Sequence, residues 1–327
     1  MTDRRTRAGT VSALSRLPRR VPLSLFLAAA IGLAMLVSLG LVLWLTLGTA
    51  REGTLQLLRD KAALVLSLVE AKTTQFLAPA EALTEEVAAR ISRHELPVND
   101  TEAMANALRY ALAAAPQLNA AAFTGVDGWM VSVFRRGDGT VGWSREQWAG
   151  DRVIARAMQP VLAGRDPGAG WGEPTYVAAA GTTIVFFARP TWRDGQLVGA
   201  VVATISVPNL SRFIADIDTP GEIGTFVLYG RDRVMAHPKL VQAGPLTSAD
   251  EPLPSLAAVN EPALPLMWAE GWEARSLALF GIEAHWTDGP DGNSLYLYEP
   301  LVTSRETPWL IGGSFRAEDI GREWQQL

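Results

Sequence analysis

The chain has 327 residues, 48% of them hydrophobic and 19% charged, which excludes a disordered tail and leaves room for two folded units at about 150 residues each. It has no cysteine, so disulfide scaffolds, thiolate zinc sites, iron–sulfur clusters and thiol nucleophiles are all excluded. The net charge of −5 is unevenly spread: residues 1–20 hold six arginines and one acid, residues 21–50 hold no charge, and acids outnumber bases from Arg51 on. An acidic body of this kind argues against a nucleic-acid partner.

Residues 1–20 form a basic tail. The run 21–50 is rich in Leu, Ala and Val, with Trp44 near its end. A bilayer core needs about 20 helical residues, so this run predicts a transmembrane helix in contact with lipid. Arginines on its amino side place the N-terminus in the cytoplasm and the body in the periplasm of a bacterial inner membrane. A cleaved signal peptide is the competing reading, but its apolar region is normally about 7–15 residues. Gly48-Thr49-Ala50 is also a poor cleavage site, and the residues around Arg19-Arg20 give weak support to a twin-arginine signal.

Residues 51–97 read as a stalk helix. Leu55, Leu58, Ala62, Val65, Val69, Phe76, Leu83, Val87 and Ile91 recur at helical spacing, and Pro79 is expected to bend the helix without ending it. Asn99 or Asp100 can cap a second helix over 101–115. Strands follow at 118–123 and 129–135 around the turn Gly125-Val126-Asp127-Gly128, then a tight turn at Gly137-Asp138-Gly139 and a short helix over 151–164. Two long β-rich runs, 182–192 and 196–206, flank Arg193-Asp194-Gly195 and make the clearest hairpin signal; a helix over 209–217 follows. A second cycle has strands at 224–229 and 234–237, a helix around 256–268, strands at 282–286, 294–300 and 308–315, and a last helix over 317–327. This order predicts the α+β class, with two antiparallel-sheet modules at 98–220 and 221–316 and an exit helix at 317–327.

Catalytic signatures are missing. No GxSxG, phosphate loop or dinucleotide fingerprint occurs, and His94, His237 and His285 lack metal-ligand spacing, so neither a metal nor a cofactor is expected. Asp288, Asp291 and Asn293 lack the calcium-loop pattern and fit a hairpin turn. A Ser/His/Asp triad stays open, since its members need not be close in sequence.

The stretches Tyr229-Gly230-Arg231-Asp232-Arg233-Val234-Met235-Ala236-His237-Pro238 and Pro308-Trp309-Leu310-Ile311-Gly312-Gly313 resemble the double Cache sensor domain of bacterial transmembrane receptors. The resemblance implies one span, a stalk helix, two stacked PAS-like modules and a return to the membrane. LLRDKAALVLSLVE, Gly172-Glu173-Pro174 and ISVPNLSRFI are similar to those sensors that precede a HAMP segment and a class III adenylate/guanylate cyclase domain. Two departures matter. The Arg-x-Trp-Tyr motif of amino-acid-binding members has no match, the nearest stretch being Trp143-Ser144-Arg145-Glu146-Gln147-Trp148. The family also needs a second span and an output domain, so the resemblance implies a fragment, a truncated gene or a protein without its own output.

The membrane-distal module gathers aromatic and basic residues, and Arg135, Trp143, Arg145, Trp148 and Tyr176 are its candidate ligand-binding residues: an aromatic wall with an arginine fork suits a small anion or planar solute. Ordinary hairpin packing is the competing reading. His237 is either a ligand or pH-sensing residue or the end of a strand. The sequence thus predicts a membrane-anchored sensor for a small-molecule ligand, dimeric through its stalk helix. A singly anchored periplasmic enzyme or scaffold is the alternative.

Overall fold

The computed structural model describes residues 23–147, 161, 168–218, 224–241, 247–279, 282–289, 292–301 and 307–316. The chain divides into two compact units, Met1–Leu58 and Arg59–Leu327. In the first, helix α1 (Leu23–Ser92) begins, and Leu27, Ile31, Leu33, Met35, Leu36, Val37, Leu39, Leu41 and Val42 are each more than half exposed. Among the described residues, no helix is long and apolar enough to cross a membrane.

In the second unit α1 supplies a buried stripe of Leu66, Val69, Leu77, Ala80, Leu83, Val87 and Ile91, which is the helical spacing expected of a core-facing surface. The helix runs on through Pro79. Thr73 and Thr84 are buried within it at no polar cost, because their hydroxyls donate to the carbonyls of Val69 at 2.7 Å and Glu81 at 2.9 Å. Helix α2 (Thr101–Ala113) is capped by Asp100, whose carboxylate accepts from the Ala103 N–H at 2.9 Å.

Seven strands make the first sheet: β1 (Ala120–Gly125), β2 (Trp129–Arg135), β3 (Val141–Gln147), β4 (Gly170–Trp171), β5 (Thr175–Val177), β6 (Thr182–Arg193) and β7 (Gln196–Ser206). Their order is β3-β2-β1-β7-β6-β4, with β5 also on β6. The expected hairpin is β6–β7. Asp194 and Gly195 both take positive φ, 49° and 77°, as a type I′ turn requires. The end of α1 is tied to this hairpin by the Ser92 hydroxyl, which donates to the Trp192 carbonyl at 2.7 Å. Helix α3 (Val207–Ile217) starts directly after β7, capped by Ser206.

The second sheet holds β8 (Gly224–Tyr229), β9 (Arg233–Ala236), β10 (Ser276–Leu279), β11 (Ile282–Gly289), β12 (Gly292–Leu301) and β13 (Trp309–Arg316), in the order β10-β11-β12-β13-β8-β9. One continuous core joins α1, α2 and α3 to both sheets. Where the modules meet, Trp171 and Trp309 lie 5.3 Å apart between ring centroids, both buried.

The helix expected around 256–268 is not formed. That stretch has only the 3-10 turns Leu256–Val259 and Leu264–Leu266, because Pro262 and Pro265 lack the N–H groups an α-helix would need there. Of the helix expected over 151–164 only Val161 is described, and the one expected over 317–327 lies outside the described residues.

Candidate functional site

A strand alternates its side chains between two faces, so register assigns every residue of the first sheet to a side. Ala121, Phe123, Val131, Val133, Val185, Phe187, Val201, Ala203 and Ile205 face the helices. Their neighbours Ala122, Phe186, Ala188, Ala200 and Val202 form a separate apolar face on the other side, with Met130 against it. From outside the sheet, Val161 alone of the described residues joins that cluster. The same face carries a hydroxyl pair across β2 and β3, Ser132 and Ser144, with their oxygens 2.9 Å apart. Small side chains at Ala122, Ala188 and Ala200 line its centre, and all three are buried. Gly172 lets the chain after β4 lie directly on this side, since a Cβ there would come within 2.1 Å of the Phe186 ring.

The candidate residues read from the sequence lie elsewhere. Trp143 pairs with Val133, Arg145 with Val131 and Arg135 with Val141, which puts all three on the helix-facing side. The Arg135 guanidinium donates to the carbonyls of Leu112 (2.6 Å), Leu118 (3.1 Å) and Ala115 (3.4 Å). It thereby closes the C-terminal end of α2, where bare carbonyls favour a cation. The Arg145 guanidinium lies over Trp129, 4.5 Å from the ring centroid, and Trp143 is 45% exposed. Tyr176 is half-buried opposite Thr183, whose own hydroxyl is tied to the Pro252 carbonyl of the second module. Trp148 lies outside the described residues. Register would have revealed this arrangement, and β3, a polar edge strand, gave no period-2 signal from which to read it.

The second sheet has the same two-sided design with a different outcome. Val227, Trp309 and Ile311 face the helices, as do Ala284 and Leu297, which pack with Leu66 of α1. The opposite face, with Phe226, Leu228, Tyr296, Tyr298 and Leu310, is covered by Val259, Ala263, Leu264 and Met267 of the connecting segment. Three hydrogen bonds fasten this cover: Tyr296 Oη donates to the Ala263 carbonyl (2.5 Å), His285 Nε2 to Met267 (2.5 Å) and Trp268 Nε1 to Arg231 (2.5 Å). A ring nitrogen facing a carbonyl must carry the proton, so His285 Nδ1 is the bare acceptor. It is buried, and among the described residues it has no partner. Burial is the main reason its pKa is lowered.

His237 directly follows β9 and is buried, with no partner among the described residues for its Nε2. Its backbone N–H donates to Ser211 of α3 (3.4 Å), and its Nδ1 accepts from the Lys239 N–H (3.2 Å). Burial pushes its pKa down to about 4. Nearby, Glu261 joins Lys239 (2.9 Å) and Arg316 (3.7 Å). Asp288 and Asn293 pair across the β11–β12 hairpin, and among the described residues no group of three acids or histidines could hold a metal ion.

No protein-family model and no curated protein matches the sequence. Solved structures do. The sensory domain of the Campylobacter jejuni chemoreceptor Tlp3 superposes with a TM-score of 0.58 at 11% identity, covering 82% of this chain and 97% of that one. The ligand-binding domain of the Pseudomonas aeruginosa amino acid chemoreceptor PctB, in complex with L-Arg, gives 0.53 at 16% identity over 80% and 96%. That of the Pseudomonas fluorescens chemoreceptor CtaA, in complex with L-isoleucine, gives 0.51 at 16% over 84% and 96%. The fold is that of a double Cache sensor domain. The long N-terminal helix and the two antiparallel-sheet modules are those that the resemblance in the sequence implies.

Proposed function

We propose that the chain is the extracytoplasmic, small-ligand-sensing part of a membrane-anchored receptor, and that the ligand lies on the helix-averse face of the first sheet. The observation that carries this reading is the contrast of faces: the side bearing Ala122, Phe186, Ala188, Ala200 and Val202 is apolar and buried, has Ser132 and Ser144 beside it, and is set apart from the helix-side core. Apolar walls with a few placed hydroxyls suit a small organic solute. Amino acids are named for the similar PctB and CtaA domains; here their recognition motif is missing from the sequence, so the ligand class stays at small organic solutes.

The anchor is residues 21–50. Support comes from the absence of charge there and from apolar side chains such as Met35 (71% exposed) and Leu36 (69%), which lipid would cover. The periplasmic side follows from the arginines before the run. Dimerisation through α1 is supported by Leu64 and Leu68, one turn apart and 70% and 52% exposed. A class III cyclase as the output rests on the likeness of three sequence stretches alone.

The test is a melting-temperature screen of small metabolites on the detergent-solubilised chain. A ligand at 100 times its dissociation constant adds about 2.7 kcal/mol to stability. We expect at least one hit, lost in Ala122→Phe, which fills the face, and weakened in Ser132→Ala. Hits that both variants retain would remove the ligand from this face.

A further inference from the structure

We propose that the second module carries a separate site for an organic cation, an alkylammonium or alkylguanidinium group, and that its own Arg231 fills that site here. The guanidinium carbon of Arg231 lies 5.3 Å from the Trp268 ring centroid and 5.2 Å from that of Trp272. The rings meet at steep angles. Trp268 stands edge-on to Trp272 (5.0 Å, 73°) and to Tyr298 (5.2 Å, 80°), with His285 5.2 Å from Trp272. Rings so arranged form the walls of a box, and their π faces attract a cation.

The box is built from two directions. Tyr298 and His285 stand on the sheet, while Trp268 and Trp272 come from the connecting segment. It is reachable from solvent, since both tryptophans are only half-buried and Arg231 is exposed. Two acidic residues adjoin its rings, one by strand register and one by sequence. Glu283 pairs with Tyr298 across β11 and β12, and Glu273 lies in the same 3-10 turn as Trp272. Among the described residues Arg231 forms no ion pair, so the rings are what hold its charge. It sits on the exposed turn after Gly230, whose φ of 64° glycine adopts freely. A side chain held this way can swing out and leave an aromatic space for a cation of similar size. The alternative role, a clamp that shields the rings with its own stem, predicts no binding when the charge is removed.

The test uses the full chain in detergent, with tetramethylammonium chloride as probe and sodium chloride at equal ionic strength as control, read by titration calorimetry. Arg231→Met keeps the stem and removes the charge; Arg231→Gln is a second neutral variant. Both should bind tetramethylammonium about tenfold more tightly than the parent. Arg231→Lys should show no gain, and adding Trp272→Ala to Arg231→Met should abolish it. The proposal is overturned if neither neutral variant binds more tightly than the parent, or if the gain survives Trp272→Ala. None of these changes touches the first sheet, so the outcome is independent of the ligand proposed there.

Discussion

In both modules the sheet face turned away from the helices is buried, and the two faces differ in what they are made of. Each has a sheet with one face against the helices, and each must do something with the other face. In the second module the chain supplies its own cover: the segment before β10 lays Leu264, Met267 and Trp268 on the sheet and is fastened by Tyr296 and His285. In the first module the corresponding face is apolar and rich in alanine, and its polar side chains include the Ser132–Ser144 pair, Thr204 and the buried Thr124. A face filled with rings and internal hydrogen bonds suits stability and a small charged group at its margin. A face of small residues beside paired hydroxyls suits a small organic solute. Under the proposed function the first module does the sensing, while the second covers its sheet face with its own chain.

The largest expected effect lies where the modules touch. Trp309→Ala removes a buried ring that packs on Trp171, and should cost about 3–5 kcal/mol, seen as a melting temperature lower by about 10 °C. Two separate melting steps in this variant would show that the modules fold independently once the seam is broken.

Acid should act through the second module. His237, with a folded-state pKa of about 4, takes up its proton less readily than in the unfolded chain, where the value is about 6.5. Between those values the unfolded state binds more protons, so stability falls as pH drops from about 6.5 to 4 and His237 has no further effect below that. The loss should be about 3 kcal/mol in denaturant titrations. His285, lowered for the same reason, adds a loss of the same sign, whereas Glu261 is held below its usual range and acts at lower pH. His237→Gln should flatten most of the slope; a slope unchanged in that variant would place the acid response elsewhere.

Smaller effects sharpen the contrast between the two faces. Tyr296→Phe strands the Ala263 carbonyl under the cover and should cost about 1–3 kcal/mol. Ser132→Ala, a similar deletion at a half-buried position of the first sheet, should cost less than about 1 kcal/mol. Smallest of all, Trp143→Ala at an exposed edge should stay within about 0.5 kcal/mol in the same denaturant titrations. Equal costs for Tyr296→Phe and Ser132→Ala would end the distinction between the two faces.

Much of the fold was legible because its signals are local. The β6–β7 hairpin announces itself through Asp194-Gly195 and α2 through its cap Asp100, whereas α3 starts two residues before the expected 209, capped by Ser206 directly after β7. The stretch 256–268 misled because its apolar spacing looks helical while Pro262 and Pro265 forbid the bonds. The site was the least legible part. Aromatic and arginine content drew attention to Trp143 and Arg145, but register puts them on the helix side. A residue's face depends on its partner strand, and that pairing is not written in any single strand. The alanines and serines of the helix-averse face carry no compositional signal. The Trp268–Trp272–Tyr298 box needs residues from two distant stretches, so it appears only once the chain is folded.

The central claim, that the ligand sits on the helix-averse face of the first sheet, is tested most directly by calorimetry of one screening hit against two variants side by side. Ala122→Phe fills that face, while Arg145→Ala removes the cation stacked on Trp129 on the opposite side. The account predicts that Ala122→Phe abolishes binding and that Arg145→Ala leaves the dissociation constant within about twofold of the parent. Binding retained in Ala122→Phe and lost in Arg145→Ala would contradict it and move the site to the helix side of the sheet.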